Sequence, residues 1–91
     1  MDVFVYYFQP LDRGRDEIED DLVDSLSAFG CEVTGSGAGQ SGGNFDLLFS
    51  SATNESDIIA PLAGRLASLG FAPDTMIRTD NIAKTIVEIL A

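Results

Sequence analysis

The chain has 91 residues, a length typical of one domain; 45% are apolar and 22% are charged, so we expect a packed core and not a disordered segment. Fifteen acidic residues stand against five basic ones, which gives a net charge of −10. Because this charge repels the phosphates of nucleic acids and anionic lipids, we expect neither nucleic-acid binding nor membrane binding.

The first thirty residues predict a central strand followed by a helix. Residues 3–8 are continuously apolar, β-branched and aromatic, and Pro10 follows them, as expected for a strand that ends there. Apolar residues then recur at helical spacing over 15–29. Gly30 comes next and is expected to cap this helix at its C-terminus.

A glycine-rich segment separates two predicted strands, over 31–34 and 45–49, and the pattern indicates a hairpin. The segment has neither a GK[ST] sequence nor the G-x-G-x-x-G spacing, and a strand follows it where a phosphate loop would need a helix. We therefore predict a flexible hairpin tip in which a glycine adopts a positive φ. The glycines assigned to this flexible loop are Gly35, Gly37, Gly39, Gly42 and Gly43.

The second half of the chain predicts a helix, a short strand and a last helix. Residues 53–56 offer capping side chains, and an apolar stripe follows over 58–69. Pro61 must either start this helix or disturb its first turn. A strand over 75–79 leads into a C-terminal helix capped at position 80 or 81. The apolar face of that last helix consists of Ile82, Ile86 and either Ile89 or Leu90.

This order of elements predicts an α+β protein with a single domain over 1–91. It fits a ferredoxin-like βαββαβ sandwich, with a four-stranded antiparallel sheet, two helices on one face and an additional C-terminal helix. Right-handed crossovers place the first strand between the third and the fourth. One apolar side of that strand then lies on the open face of the sheet, where the C-terminal helix or a second subunit must cover it. The helix is the simpler cover; a helix that points away from the sheet would favour a dimer.

Acidic residues concentrate on the predicted first helix. Residues 1–30 carry a net charge of −6, whereas residues 31–91 carry −4. Acids in a first helical turn are favoured by the helix dipole, but like charges farther along cost about 0.2–0.5 kcal/mol per pair. A solvated face would account for them, and a docking surface for a cationic partner is the alternative. The candidate partner-binding residues are Asp16, Glu17, Asp20, Asp21 and Asp24.

The remaining side chains show no catalytic or metal-binding pattern. The sequence contains no histidine, so a histidine base and histidine metal ligands are excluded. Cys31 therefore has no histidine to activate it, and we expect it to be buried as a small hydrophobic residue. The acid-rich run DRGRDEIEDD does not have the order of ligands of an EF-hand. We predict no catalytic residues, no metal and no cofactor.

The stretch VTGSGAG before FDLLFSS, followed by a helix ending in SLGFAPDTMIRT, resembles a group of small acidic bacterial proteins of ferredoxin-like fold. Members of that group are mostly uncharacterised, and some look like immunity proteins that neutralise toxins. The resemblance covers most of the chain and implies a binding role, but it assigns no individual functional residue.

Three functions are consistent with these patterns. The first is a non-catalytic acidic binding protein, of the immunity type, that covers a basic site on a protein partner. The second is a regulatory module whose sheets pair and bind a small ligand between subunits, and the third is a carboxylate-dependent enzyme with a perturbed carboxyl in a pocket. We expect a monomer or a weak homodimer. A cytoplasmic location is expected because the chain begins without a basic n-region and has one cysteine.

Overall fold

The computed structural model describes residues 1–51 and 54–91, and its strands form one antiparallel sheet in the order β2-β3-β1-β4-β5. β1 lies between β3 and β4, as predicted, but the sheet has five strands and not four. The elements in chain order are β1 Asp2–Tyr7, α1 Arg15–Ser25, a 3₁₀ turn Ser27–Phe29, β2 Cys31–Gly39, β3 Gly42–Phe49, α2 Ser56–Ser68, β4 Met76–Arg78, β5 Ala83–Thr85 and α3 Ile86–Leu90.

A single core joins one face of the sheet to both main helices. Alternate residues of β1 are fully buried in it, while the residues between them are half-buried or exposed. α1 contributes Ile18 and Leu22 to the same core, and α2 contributes Leu62 and Leu66. The two helices therefore cover the same face of the sheet, as predicted. We call it the covered face, and we call the other one the open face.

Both main helices differ from their predicted bounds. α1 ends at Ser25, and the predicted last turn is the 3₁₀ turn Ser27–Phe29. Gly30 follows with φ of 68°, which confirms it as the residue that ends this segment. α2 begins at Ser56, so that Pro61 lies inside the helix, where it removes one backbone N–H from the helical ladder.

The start of α2 is held by a side chain just outside the helix. The Asn54 Oδ1 atom accepts the backbone N–H of Asp57 at 3.2 Å, so it satisfies one donor of the first turn. The capping prediction for position 53 falls outside the described residues. α2 has 13 residues, and no helix in the described ranges is long and apolar enough to span a lipid bilayer.

The predicted C-terminal helix is wrong in its first half, which is the edge strand β5. β5 pairs with the outer edge of β4, whose backbone groups would otherwise lack partners. The connection between the two strands is turned by the Thr79 hydroxyl, which accepts the N–H groups of Asn81 and Ile82 at 3.2 and 3.1 Å. The spacing of the isoleucines favours a helix, but pairing with β4 and the turn at Thr79 make this segment a strand.

α3 is short and does not cover the open face. A capping box defines its start: Thr85 Oγ1 accepts the N–H of Glu88 at 3.3 Å, and Glu88 Oε1 accepts the N–H of Thr85 at 2.9 Å. Ile86 is buried in the common core, and α3 packs against α2 and β5. The prediction that this helix covers the open face is therefore wrong.

Candidate binding surfaces

The acidic residues of α1 fall into two groups. Four of the five candidates are exposed and form no ion pair with any residue in 1–51 or 54–91; they are Asp16, Glu17, Asp20 and Asp24. Asp16 and Glu17 lie in the first turn, where the helix dipole favours them. Asp20 and Asp24 lie beyond the first turn, so the helix dipole does not stabilise them to a comparable extent. These four residues are called the acidic face of α1 below.

Asp21, the fifth candidate, is an internal contact. The Arg65 side chain on α2 donates to Asp21 Oδ1 at 2.6 Å and to Oδ2 at 2.5 Å, and this forked geometry fixes both side chains. Hydrogen bonding from Arg65 lowers the pKa of the Asp21 carboxyl below its ordinary value. The exposed side-chain fractions are 27% for Asp21 and 39% for Arg65, so the pair ties α1 to α2 at the rim of the core.

A depression beside α1 extends the acidic face toward the edge strand β2. It has a volume of about 460 Å³, and its lining includes three acidic residues, Glu19, Asp20 and Glu32. Its apolar lining includes Val23 and Val33, both half-buried. Acidic residues beside apolar ones match the chemistry of a lysine or arginine side chain, which has an aliphatic stem and a charged head.

The glycine-rich segment is paired strand and not an open loop. β2 and β3 remain in register through it, from Gly35 opposite Asp46 to Gly39 opposite Gly42, and only residues 40 and 41 form the turn. The hairpin prediction is confirmed, and so is a positive φ, which occurs at Gly42. The bounds of the predicted flexible loop are wrong, because all of its glycines lie in the two strands. Mobility of this tip stays a prediction.

Tyr7 explains one of these glycines, Gly43. Its ring is fully buried against Phe45, and its hydroxyl donates to the carbonyl of Gly37 at 3.4 Å. A Cβ atom on Gly43 would lie 2.5 Å from the Tyr7 Oη atom and would also collide with the backbone carbonyl of Gly37. Burial raises the pKa of the Tyr7 phenol. The hairpin is therefore glycine-rich where a large ring from the covered face reaches it.

The open face carries a row of aromatic side chains along β1. Phe4 and Tyr6 are half-buried, and Phe8, the next residue in this alternation, is 59% exposed. Residues directly opposite one another in an antiparallel pair point to the same face, so Phe4 shares this face with Asp46 of β3 and Arg78 of β4. No helix of the described chain packs against this row.

Charge is distributed unevenly around the aromatic row. The Asp46 carboxylate lies toward one edge of the sheet, where Asn44 donates to it at 3.0 Å and fixes its direction. Arg78 lies on the opposite side of β1, is exposed, and forms no ion pair with any residue that the structure describes. Beside Arg78, the β4–β5 connection borders a concavity of about 540 Å³ lined by Phe4 and Tyr6.

The reactivity of the cysteine and of the carboxyl groups in the described residues depends on their burial and their hydrogen bonds. Cys31 is buried, as predicted, and burial raises the pKa of its thiol to about 11, so it stays protonated at neutral pH. Within residues 1–51 and 54–91, no three His, Cys, Asp or Glu side chains are placed to hold a metal ion. Two carboxyls, those of Asp21 and Glu88, have clearly lowered pKa values, each because it accepts hydrogen bonds. A general acid would need the opposite shift.

Sequence reasoning located the acidic face but not the charge pattern of the open face. The alternation of aromatic residues in VFVYYF indicated that one side of β1 would be open, whereas Arg78 and Asp46 could be assigned to that side only after strand register was known. Comparison of the chain with protein-family models, with curated proteins and with solved structures finds no match.

Proposed function

We propose that the protein is a small non-catalytic binding protein, of the immunity type, and that the acidic face of α1 covers a basic site on a protein partner. The carrying observation is that Asp16, Glu17, Asp20 and Asp24 are exposed together and unpaired within the described residues. Asp20 and Asp24 receive little from the helix dipole, so they raise the energy of the isolated chain. A complementary cationic surface would remove that repulsion and speed association.

The depression beside α1 gives this proposal a point of attachment. Its apolar lining suits the stem of a basic side chain, and Glu19 and Asp20 of α1 supply carboxylates for the charged head. The Glu19 carboxylate forms an ion pair with Arg15 at 3.5 Å and accepts a hydrogen bond from the Ser36 hydroxyl at 3.0 Å. These two contacts fix its position beside the depression. A partner arginine or lysine would therefore meet an oriented acceptor.

The sheet order supports a ferredoxin-like assignment for the first four strands. β2-β3-β1-β4, with α1 and α2 on one face, is the arrangement expected of two split βαβ units. β5 would then be an addition at the β4 edge. This assignment bears on the fold and adds nothing to the choice of partner.

The test compares two triple variants of equal net charge. Asp16→Asn/Asp20→Asn/Asp24→Asn removes charge from the acidic face while keeping the Asp21–Arg65 pair, and Asp57→Asn/Asp74→Asn/Asp80→Asn removes the same charge elsewhere. The wild-type chain and both variants are immobilised, and bound basic proteins from the source cell are quantified at several salt concentrations. We expect a protein that is retained by the wild type and the control and lost by the acidic-face variant. Equal retention by both variants would show that the acidic face only solubilises the chain.

A second candidate function is favoured by the open face. A regulatory module whose sheets pair requires an uncovered apolar sheet face, and Phe4, Tyr6 and the neighbouring concavity of about 540 Å³ provide one. This function differs from the first in its partner, because it needs a second copy of the same chain.

A further inference from the structure

We infer that the open face binds a second copy of this chain through a two-fold axis that runs along β1, with Asp46 of each copy paired to Arg78 of the other. The inference specifies the second candidate function and is independent of the acidic face of α1. Its basis is the row of residues that strand register places across the open face.

β1 is the middle strand of five, so a two-fold rotation along it exchanges the position of β3 with that of β4 and the position of β2 with that of β5. From one edge of the sheet to the other, the register through Phe4 gives the row Gly35, Asp46, Phe4, Arg78 and Ala83. Neighbouring strands are about 4.8 Å apart, which places Asp46 and Arg78 roughly equally far from β1 on opposite sides. The rotation therefore brings the Asp46 carboxylate of one copy to the Arg78 guanidinium of the other.

Stacking two such rows face to face with this axis brings complementary groups together. Phe4 meets Phe4 of the second copy on the axis, and each Asp46 meets an Arg78. At the sheet edges Gly35, which has no side chain, meets Ala83, so the outer strands do not hold the faces apart. The next row repeats the pattern with Gly37, Asn44, Tyr6, Met76 and Thr85, which places Tyr6 on the axis.

The charges select this orientation over the other symmetric one. A two-fold axis across the strands at Phe4 would bring Arg78 against Arg78 of the second copy and Asp46 against Asp46. That arrangement leaves like charges opposed in a partly dehydrated interface, which is unfavourable. The axis along β1 gives two Asp46–Arg78 pairs, and within the described chain Arg78 has no competing ion pair.

The interface should be weak. The axis along β1 lays β3 on β4 and β2 on β5 of the second copy, and β4 and β5 are only three residues long. The overlap therefore covers roughly 300 Å² per copy, or about 600 Å² in total, which is below the range of stable specific interfaces and fits a transient one. Asp2 lies two residues before Phe4 on the same side of β1. In the dimer it would face Asp2 of the second copy, and the repulsion between the two carboxylates opposes association. Both features favour a weak dimer that forms only toward the upper end of the micromolar range.

The experiment uses two charge variants that are expected to fail alone and to succeed together. Asp46→Arg gives a face with two cations, and Arg78→Asp gives one with two carboxylates, so each homodimer opposes like charges. Sedimentation equilibrium from about 1 μM to about 1 mM should show a dimer for the wild type and a dissociation constant raised at least about tenfold for each variant. An equimolar mixture of the two should form a heterodimer of near wild-type affinity, because the two pairs are restored between unlike chains.

A matched pair of variants controls for net charge. Asp57→Arg on α2 and Lys84→Asp change the total charge by the same amounts away from the open face, since Lys84 lies opposite Ile77 on the covered side. Both should dimerise like the wild type, alone and mixed. Circular dichroism of each variant at low concentration checks that the substitutions leave the monomer folded.

Three results would overturn the inference. The first is a wild-type chain that sediments as a monomer throughout the range, which would leave the open face to a small ligand or another protein. The second is a dimer equally tight in Asp46→Arg and Arg78→Asp. The third is a mixture of these two variants that associates no better than either alone. None of these results bears on partner retention by the acidic face, so the two proposals fail separately.

Discussion

The covered and open faces of the sheet receive similar side chains from β1 and use them differently. Val3, Val5 and Tyr7 are fully buried under the two helices. Phe4 and Tyr6 alternate with them on the same strand, yet they remain half-buried and border a concavity. The apolar character of a strand residue therefore does not decide whether it belongs to the core.

The difference lies in what each face meets next. On the covered face, neighbouring strands add further apolar side chains, and α1 and α2 close over them. On the open face the same neighbours supply Asp46 and Arg78, and α3 packs beside α2 and leaves this side uncovered. One face is therefore part of the core, whereas the other presents aromatic groups at its centre with charged groups around them.

The largest expected effect comes from deleting the same side chain on each face. Phe45→Ala on the covered face should lower the free energy of unfolding by about 3–5 kcal/mol, because a fully buried ring is replaced by a cavity. Phe4→Ala on the open face should cost about 1 kcal/mol, since its ring is only half-buried in the monomer. Urea denaturation at a concentration that keeps the chain monomeric measures both. Similar losses would show that the open face is part of the core after all.

An intermediate effect is expected where the glycine hairpin meets the covered face. Gly43→Ala should destabilise the fold by about 1–3 kcal/mol, because the new methyl group collides with the Tyr7 ring and the Gly37 carbonyl. Gly39→Ala is the matched control: its Cβ would find the Gly42 carbonyl at 3.7 Å, an ordinary contact. Thermal unfolding should separate the two variants clearly. Equal midpoints would mean that Tyr7 does not need the space that Gly43 leaves.

The smallest effect concerns the ion pair at the rim of the covered face. Asp21→Asn should cost about 0.5–1 kcal/mol at neutral pH, since the pair with Arg65 is partly exposed but forked. The folded-state pKa of Asp21 lies below its unfolded value, so the contribution is complete above about pH 4 and disappears as the pH falls through the folded-state pKa. Asp20→Asn removes an exposed neighbour without an ion pair and serves as the control. A stability difference between wild type and Asp21→Asn that persisted unchanged in acid would contradict the assignment.

Local patterns predicted much of the fold, and their failures have a common origin. The apolar stripe of the first helix, the hairpin and the interior position of β1 are confirmed, because each depends on side-chain periodicity or on short connections. β5 was missed because Ile82, Ile86 and Ile89 also fit a helical stripe, and the free edge of β4 competes for the same residues. The strands through the glycines were missed because glycine has low strand propensity and is ordered here by its partner strand and by Tyr7.

The acidic face of α1 was also predicted in part from local patterns and decided in part by tertiary packing. The acidic face of α1 follows from sequence, since residues at helical spacing share a side wherever the helix lies. Asp21 could not be separated from its neighbours by that argument, because Arg65 reaches it from a helix 44 residues away in the chain. Only packing of α2 against α1 removed it from the exposed set.

Sequence alone determined the composition of this protein's surfaces: a net charge of −10, an acidic first helix and a β1 that is apolar on both sides. These properties depend on residue type and on the fixed geometry of a single element. The tertiary structure decided which apolar side is covered, which acid is paired inside the chain, and that Asp46, Phe4 and Arg78 lie in one row. Such relations depend on strand order and register, which are set by the free energy of the whole packed chain and cannot be read from any one segment.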